Sequence, residues 1–214
     1  MKKLFFALLV LVTIQTANAQ LLKFGLRAGL SSSSVKANDL LISSQDELNE
    51  FLLKTGDSKV GYHVGLMSQI NIPILPFAIM PELLLTNTGG EYQVKDVASG
   101  EIRKADVSFA RLDFPILLAF KLGPLRLNAG PIGSIILSED NGLEDIGADV
   151  SQSFNGATWG YQAGLGVDLA KKVALDLKYE GNLSDLGDKI TVGGKDYNFD
   201  TRTNQLILSL GYYF

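Results

Sequence analysis

In eight stretches between Leu22 and Phe214, apolar residues recur at every second position. That period belongs to strands whose two faces meet different surroundings, and a helix cannot reproduce it. The first stretch sets Leu22, Phe24, Leu26, Ala28 and Leu30 against Lys23, Gly25, Arg27, Gly29 and Ser31. The second sets Val60, Tyr62, Val64, Leu66, Ile70 and Ile72 against Gly61, His63, Gly65, Gln69 and Asn71. The third, about Phe77 to Asn87, places Ile79, Leu83 and Leu85 opposite Glu82 and Thr86, with Pro81 as an irregularity. In the fourth, Leu112, Phe114, Ile116, Leu118 and Phe120 oppose Arg111, Asp113, Ala119 and Lys121.

The second half repeats the rule. Leu125, Leu127, Ala129, Ile135 and Leu137 oppose Arg126, Asn128, Gly130 and Ser134. Trp159, Tyr161, Ala163, Leu165, Val167 and Leu169 oppose Gly160, Gln162, Gly164, Gly166 and Asp168. Then Val173, Leu175, Leu177 and Tyr179 face away from Asp176, Lys178 and Glu180, and Leu206, Leu208, Leu210, Tyr212 and Phe214 from Gln205, Ser209 and Gly211.

Connections between these strands alternate in length. Ile74-Leu75 between Pro73 and Pro76, Gly123-Pro124, and Ala170-Lys171-Lys172 are tight turns. Between them lie long polar segments, roughly 33–58, 88–105, 139–157 and 184–203. The alternation predicts an all-β fold: an eight-stranded antiparallel up-and-down transmembrane β-barrel with short periplasmic turns and four long external loops.

The N-terminal segment reads as an address. Met1-Lys2-Lys3 is followed by an apolar run from Leu4 to Ile14 and by Ala17-Asn18-Ala19, the small-x-small pattern of a signal-peptidase site. Residues 1–19 are therefore expected to be a cleaved signal peptide and 20–214 the barrel domain. The mature chain keeps 17 basic residues against 23 acidic ones, with no basic stripe, which argues against nucleic acid as a partner. With no Cys and one His, the chain lacks the residues for a disulfide framework, a thiolate metal site or a multi-histidine cluster. No cofactor and no catalytic residue are expected.

Alternation alone leaves two orientations open: apolar side chains facing lipid, or facing the inside of a soluble lipocalin-like ligand carrier. Three features favour lipid. Aromatic residues gather in two groups on the apolar face, Phe24, Phe77, Phe120, Tyr212 and Phe214 near the turns and Tyr62, Trp159, Tyr161 and Tyr179 near the loops, as two membrane interfaces would demand. The polar face is rich in Gly, suited to a narrow interior. It also carries nearly balanced charge: Lys23, Arg27, Arg111, Lys121, Arg126 and Lys178 against Glu82, Asp113, Asp168, Asp176 and Glu180. An eight-stranded barrel has room inside for little more than side chains, so these groups and His63 are expected to form a polar network that closes the lumen.

Short segments resemble the PorT-type outer-membrane β-barrel family. They include Gly25-Leu26-Arg27-Ala28-Gly29, Pro81-Glu82-Leu83-Leu84, Leu112-Asp113-Phe114-Pro115-Ile116-Leu117-Leu118, Ala129-Gly130-Pro131, Gly164-Leu165-Gly166-Val167 and Leu175-Asp176-Leu177-Lys178-Tyr179, ending in Leu208-Ser209-Leu210-Gly211-Tyr212-Tyr213-Phe214. The resemblance covers essentially the whole mature chain. It implies an outer-membrane location, recognition of the terminal aromatic by the outer-membrane assembly machinery, and a role connected with protein secretion; it supplies no functional residue.

Two further features carry expectations. Ser44-Gln45-Asp46-Glu47 reads as a capping box opening a helix through Lys54, with Leu48, Phe51 and Leu52 as an apolar stripe that packs on the rim or docks a partner protein. The acidic groups Asp39, Asp46 and Glu47, and Glu139, Asp140, Glu144 and Asp145, lack EF-hand spacing and read as solvated loop residues. The sequence thus points to a non-enzymatic barrel with a structural or protein-interaction role in outer-membrane lipid. A narrow passive channel and a soluble carrier stand as alternatives.

Overall fold

The computed structural model describes residues 21–37, 40–43, 50–96, 102–141, 150–154, 157–169, 172–184, 187–192, 195–198 and 201–214. These residues form β1 (Leu22–Ala37), β2 (Leu40–Ser43), β3 (Glu50–Asn71), β4 (Phe77–Asp96), β5 (Ile102–Leu122), β6 (Leu125–Asn141), β7 (Val150–Phe154), β8 (Ala157–Leu169), β9 (Val173–Asn182), β10 (Gly187–Val192), β11 (Lys195–Asn198) and β12 (Thr201–Tyr213). Eight of them make the barrel, in the order β1-β12-β9-β8-β6-β5-β4-β3, and the β1–β3 pairing closes the ring. Every pairing is antiparallel, and β1 is held on both sides, Leu26 opposite Tyr212 of β12 and opposite Leu66 of β3. Closure leaves the wall without a free edge, the condition for crossing hydrocarbon with strands.

The expected parity holds through all eight barrel strands. Outward positions are apolar and open, such as Leu30 and Leu165 at 59% exposure and Trp159 at 64%. Inward positions include Arg27 at 1% and Asp176 at 0%. A soluble carrier with an apolar interior would need the reverse, so that alternative is set aside. The interior nevertheless contains more apolar residues than the alternation suggested. Near the turn end Ala78, Met80, Leu117 and Ala119 pack inside the barrel, and Met67, Ala174 and Tyr213 form a second buried group.

Two expectations about the loops are corrected. Much of 33–58 and 88–105 is strand, because β1 runs to Ala37, β3 starts at Glu50, β4 runs to Asp96 and β5 starts at Ile102. Beyond the lipid both faces of a strand meet water, so the ladder continues while the alternation that announces it fades. The helix through Lys54 is likewise absent where described: Glu50–Lys54 belong to β3, with Phe51 opposite Ile42 and Leu52 opposite Leu41. A strand has no helical stripe, so Phe51 and Leu52 do not share the helix face expected of them; Leu48 and the capping box lie outside the described residues. The expected leader, residues 1–19, and the acidic residues Asp39, Asp46, Glu47, Glu144 and Asp145 also lie outside them.

At the other end the connections are short. Gly123 sits at φ 65°, a left-handed position that glycine takes without strain, and Leu122 pairs directly with Leu125 across it.

Candidate functional site

Side chains from β1, β4, β6 and β9 meet at the waist of the lumen. Arg27 of β1 donates through Nη2 to Asp176 Oδ2 at 2.7 Å and lies 3.2 Å from Glu82 Oε1 through Nη1. Asp176 of β9 also accepts from Arg126 Nη2 at 2.9 Å and from Asn128 Nδ2 at 2.8 Å, both on β6. Glu82 of β4 receives Lys178 Nζ of β9 at 3.3 Å. In the ring, β4 and β9 are four strands apart in either direction, so this pair spans the full diameter. All five charged side chains are buried, which makes their mutual pairing obligatory: each would otherwise be a solitary charge shut away from water.

A backbone feature makes the waist possible. At Gly166 of β8 a Cβ atom would collide with Asp176 Oδ1 and approach Arg126 Nη2 to 2.8 Å. Glycine is therefore required by close approach: the guanidinium and carboxylate occupy the space a side chain would fill.

A second group lies nearer the loops. Arg111 Nη2 of β5 is 3.1 Å from Asp113 Oδ2 and 2.9 Å from Glu180 Oε1 of β9. Gln162 of β8 and Gln205 of β12 each donate to a Glu180 oxygen at 2.7 Å. Above this, Thr88 Oγ1 reaches Gln205 Oε1 at 3.4 Å, and Ser33 Oγ donates to the Gly89 carbonyl at 2.5 Å. The sole histidine lies between the levels: His63 Nε2 and Ser209 Oγ are 3.0 Å apart, both buried inside the barrel. No residue adjacent to His63 in the chain is a serine; closure brings Ser209 beside it across β1.

Lys23, Lys121 and Asp168 occupy the turn-side mouth and are only partly buried. Lys23 Nζ lies 5.3 Å from the centre of the Tyr213 ring, Lys121 Nζ donates to Asn71 Oδ1 at 3.3 Å, and Asp168 pairs with Arg126. Tyr213 itself donates to Gln69 Oε1 at 3.1 Å. Sequence reading placed these residues on the inner face without separating mouth from waist. It also missed Gln69, Asn128, Gln162, Gln205 and Ser209 as partners, although all five share the inward parity.

Outside the waist the same residue types recur in the open. Lys104 Nζ of β5 is 2.9 Å from Glu91 Oε1 of β4 and 3.0 Å from Asp57 Oδ2 of β3, while Lys59 Nζ of β3 meets Asp106 Oδ2 of β5 at 2.8 Å. The last two pairs join β3 to β5 across β4. Hydrogen bonds to Glu91, then to Asp57, raise the Lys104 pKa above the ordinary lysine value.

The closed barrel, its apolar exterior and its ionic interior are the marks of a strand protein that lives in lipid. A family model described as the outer membrane protein beta-barrel domain matches residues 15–188.

The chain belongs to the outer membrane protein β-barrel domain family.

This outer-membrane barrel is similar to several solved structures. Ail, the attachment invasion locus protein of Yersinia pestis, shares 13% identity at a TM-score of 0.45, with 90% of this chain and 98% of that one covered. OprG from Pseudomonas aeruginosa shares 15% identity at a TM-score of 0.48, with 90% and 95% covered. Neisserial surface protein A shares 14% identity at a TM-score of 0.45, with 89% and 97% covered. No curated protein matches the chain. Its location in the outer membrane makes the apolar exterior a lipid contact and the aromatic groups, among them the mutually tilted Phe77 and Phe120 rings 5.2 Å apart, interface anchors.

Proposed function

We propose that this protein is a non-enzymatic, non-conducting outer-membrane scaffold that holds an extended three-stranded surface, β3 to β5, outside the membrane for a protein partner. The Glu82–Lys178 contact across the full diameter carries the reading, since an ion pair spanning the lumen leaves no straight path for solute. The scaffold reading contains no catalytic step: His63 and Ser209 face each other inside the wall, away from lipid and partner alike. From Tyr62 outward β3 continues to Glu50, and at about 3.3 Å per residue this is roughly 40 Å of chain beyond the aromatic belt. Within this proposal, residues 1–19 direct export and the assembly machinery inserts the barrel. The PorT-type resemblance makes a secreted protein or a secretion component the partner.

Purified protein in planar bilayers is expected to show no steady current, and a persistent open conductance would overturn the plug. Cells lacking the protein are expected to retain exported proteins in the periplasm; unchanged secretion would remove the secretory role. A second reading, the narrow channel, is supported by Ser31 Oγ, Asp113 Oδ1, Gln162 Oε1 and Asn182 Nδ2, which are buried on the loop side of the waist without a hydrogen-bond partner and suit a thread of water. The same current measurement separates the two.

A further inference from the structure

The periplasmic end of the barrel is chemically lopsided. On one side the β3–β4 turn reads Ile72-Pro73-Ile74-Leu75-Pro76 and the β5–β6 turn Leu122-Gly123-Pro124-Leu125. Ile74, Leu75, Leu122 and Leu125 are all exposed, and Ile74 is completely so. On the other side the β8–β9 turn carries Lys172, exposed, with Nζ 5.9 Å from the Tyr212 ring.

Two properties of the β3–β4 turn set it apart from a wet loop. Most of its backbone donors are missing or used internally: Pro73 and Pro76 have no N–H, Ile72 donates to the Phe77 carbonyl at 2.9 Å, and Leu75 donates to the Ile72 carbonyl at 3.3 Å. The Pro76 carbonyl accepts from Lys121 N at 2.7 Å, which ties this turn to the neighbouring one, and the Pro124 carbonyl accepts from Asp168 N at 2.7 Å. Fewer free donors lower the cost of taking this turn out of water. Second, Ile74 holds φ 70°, a conformation that a β-branched residue adopts only under strain and that Gly or Asn would accept freely. In water nothing recovers that strain. In acyl chains, the isoleucine side chain does so by leaving water.

The surface is also continuous with one already assigned. Phe77 and Phe120, whose rings touch at a tilt, join the two apolar turns to Ile79 and Leu118 of the lipid-facing belt, with no polar outward side chain between them. We propose that these two turns are immersed in the acyl region of the inner leaflet, while the Lys172 turn stays at the phosphate level, so that the barrel sits tilted with its β3–β6 side deeper. The occupant of this surface is phospholipid, and the proposal rests on the outer-membrane location.

The chain has no cysteine, so single-cysteine variants are direct probes. Ile74→Cys and Lys172→Cys, each carrying an environment-sensitive fluorophore, would be refolded in phosphatidylcholine vesicles with or without brominated acyl chains, with iodide on both sides. The bromolipid is expected to quench the label at 74 about twofold more than the label at 172, and iodide to show the opposite order. Equal quenching of the two labels, or iodide reaching 74 as readily as 172, overturns the proposal. A variant with the native turn length gives an independent sign. Ile74→Asn relieves the left-handed strain, so its urea midpoint in bilayers rises if the turn is wet and falls if it is immersed. A fall is expected, and a rise overturns immersion.

Discussion

The waist of the barrel and the strands that project beyond it contain the same chemistry under opposite conditions. At the waist, Arg27 and Asp176 are 2.7 Å apart with both side chains wholly buried. On the projection, Lys59 and Asp106 are 2.8 Å apart with side chains 35% and 63% exposed. Near-identical distances therefore describe different energetics. In the lumen each charge has lost its hydration and depends on its neighbours, so removing one strands another; outside, water replaces a lost partner at once. Distance reports that a pair exists, while burial decides what breaking it does.

The largest expected effect tests the buried side. Asp176→Ala leaves Arg27 and Arg126 short of a counter-charge and should destabilise the barrel by about 3–5 kcal/mol, read from urea unfolding in lipid vesicles. A loss below about 1 kcal/mol would mean that the waist is wet and that the two regions are energetically alike. Next comes the exterior wall at the same level: Leu165→Arg places a charge on the lipid face and should cost about 2–4 kcal/mol near the midplane. Were this substitution harmless, the outward face would not be lying against hydrocarbon.

Smaller effects sharpen the exposed side. Lys59→Ala should change stability by no more than about 1 kcal/mol, and the difference should shrink as salt is added, because the Debye length falls from about 10 Å at 0.1 M to about 3 Å at 1 M. Salt should leave the Asp176 effect nearly unchanged. Lys104 supplies the smallest signal. Its pKa is raised by Glu91 and Asp57, so its pairing is fully present below the ordinary lysine value and fades only as pH climbs through the raised one. In an alkaline stability titration wild type should keep a small, constant advantage over Lys104→Gln up to about pH 10 and lose it above, and an advantage that faded near neutrality would contradict this assignment.

Legibility in the sequence followed the same division between regions. Inside the membrane thickness every strand is bounded by two unlike media, lipid and lumen, and each residue must declare its side; hence the parity of Arg27, His63, Glu82, Arg111, Asp176 and Lys178 could be read directly. Beyond it the media are alike on both faces, so the outer parts of β3, β4 and β5 resembled polar loop, and Glu50–Lys54 resembled the end of a capped helix. Inward apolar residues such as Met67, Met80 and Leu117 were hidden for another reason: near the turns the lumen is filled by volume, for which an isolated Met or Leu at a polar-parity position gives no periodic signal.

Amino-acid order alone settled that this chain makes eight two-faced strands joined by alternating short and long connections, and which side chains face the lumen, because a two-residue period encodes sidedness locally. Who meets whom was decided by closure. Lys178 finds Glu82 only because the ring brings opposite walls together at a particular stagger, Ser209 reaches His63 only because β12 and β3 both flank β1, and Gly166 leaves room for a salt bridge between two other strands. Register around a closed cylinder is a property of all eight strands jointly, and no single stretch of sequence contains it.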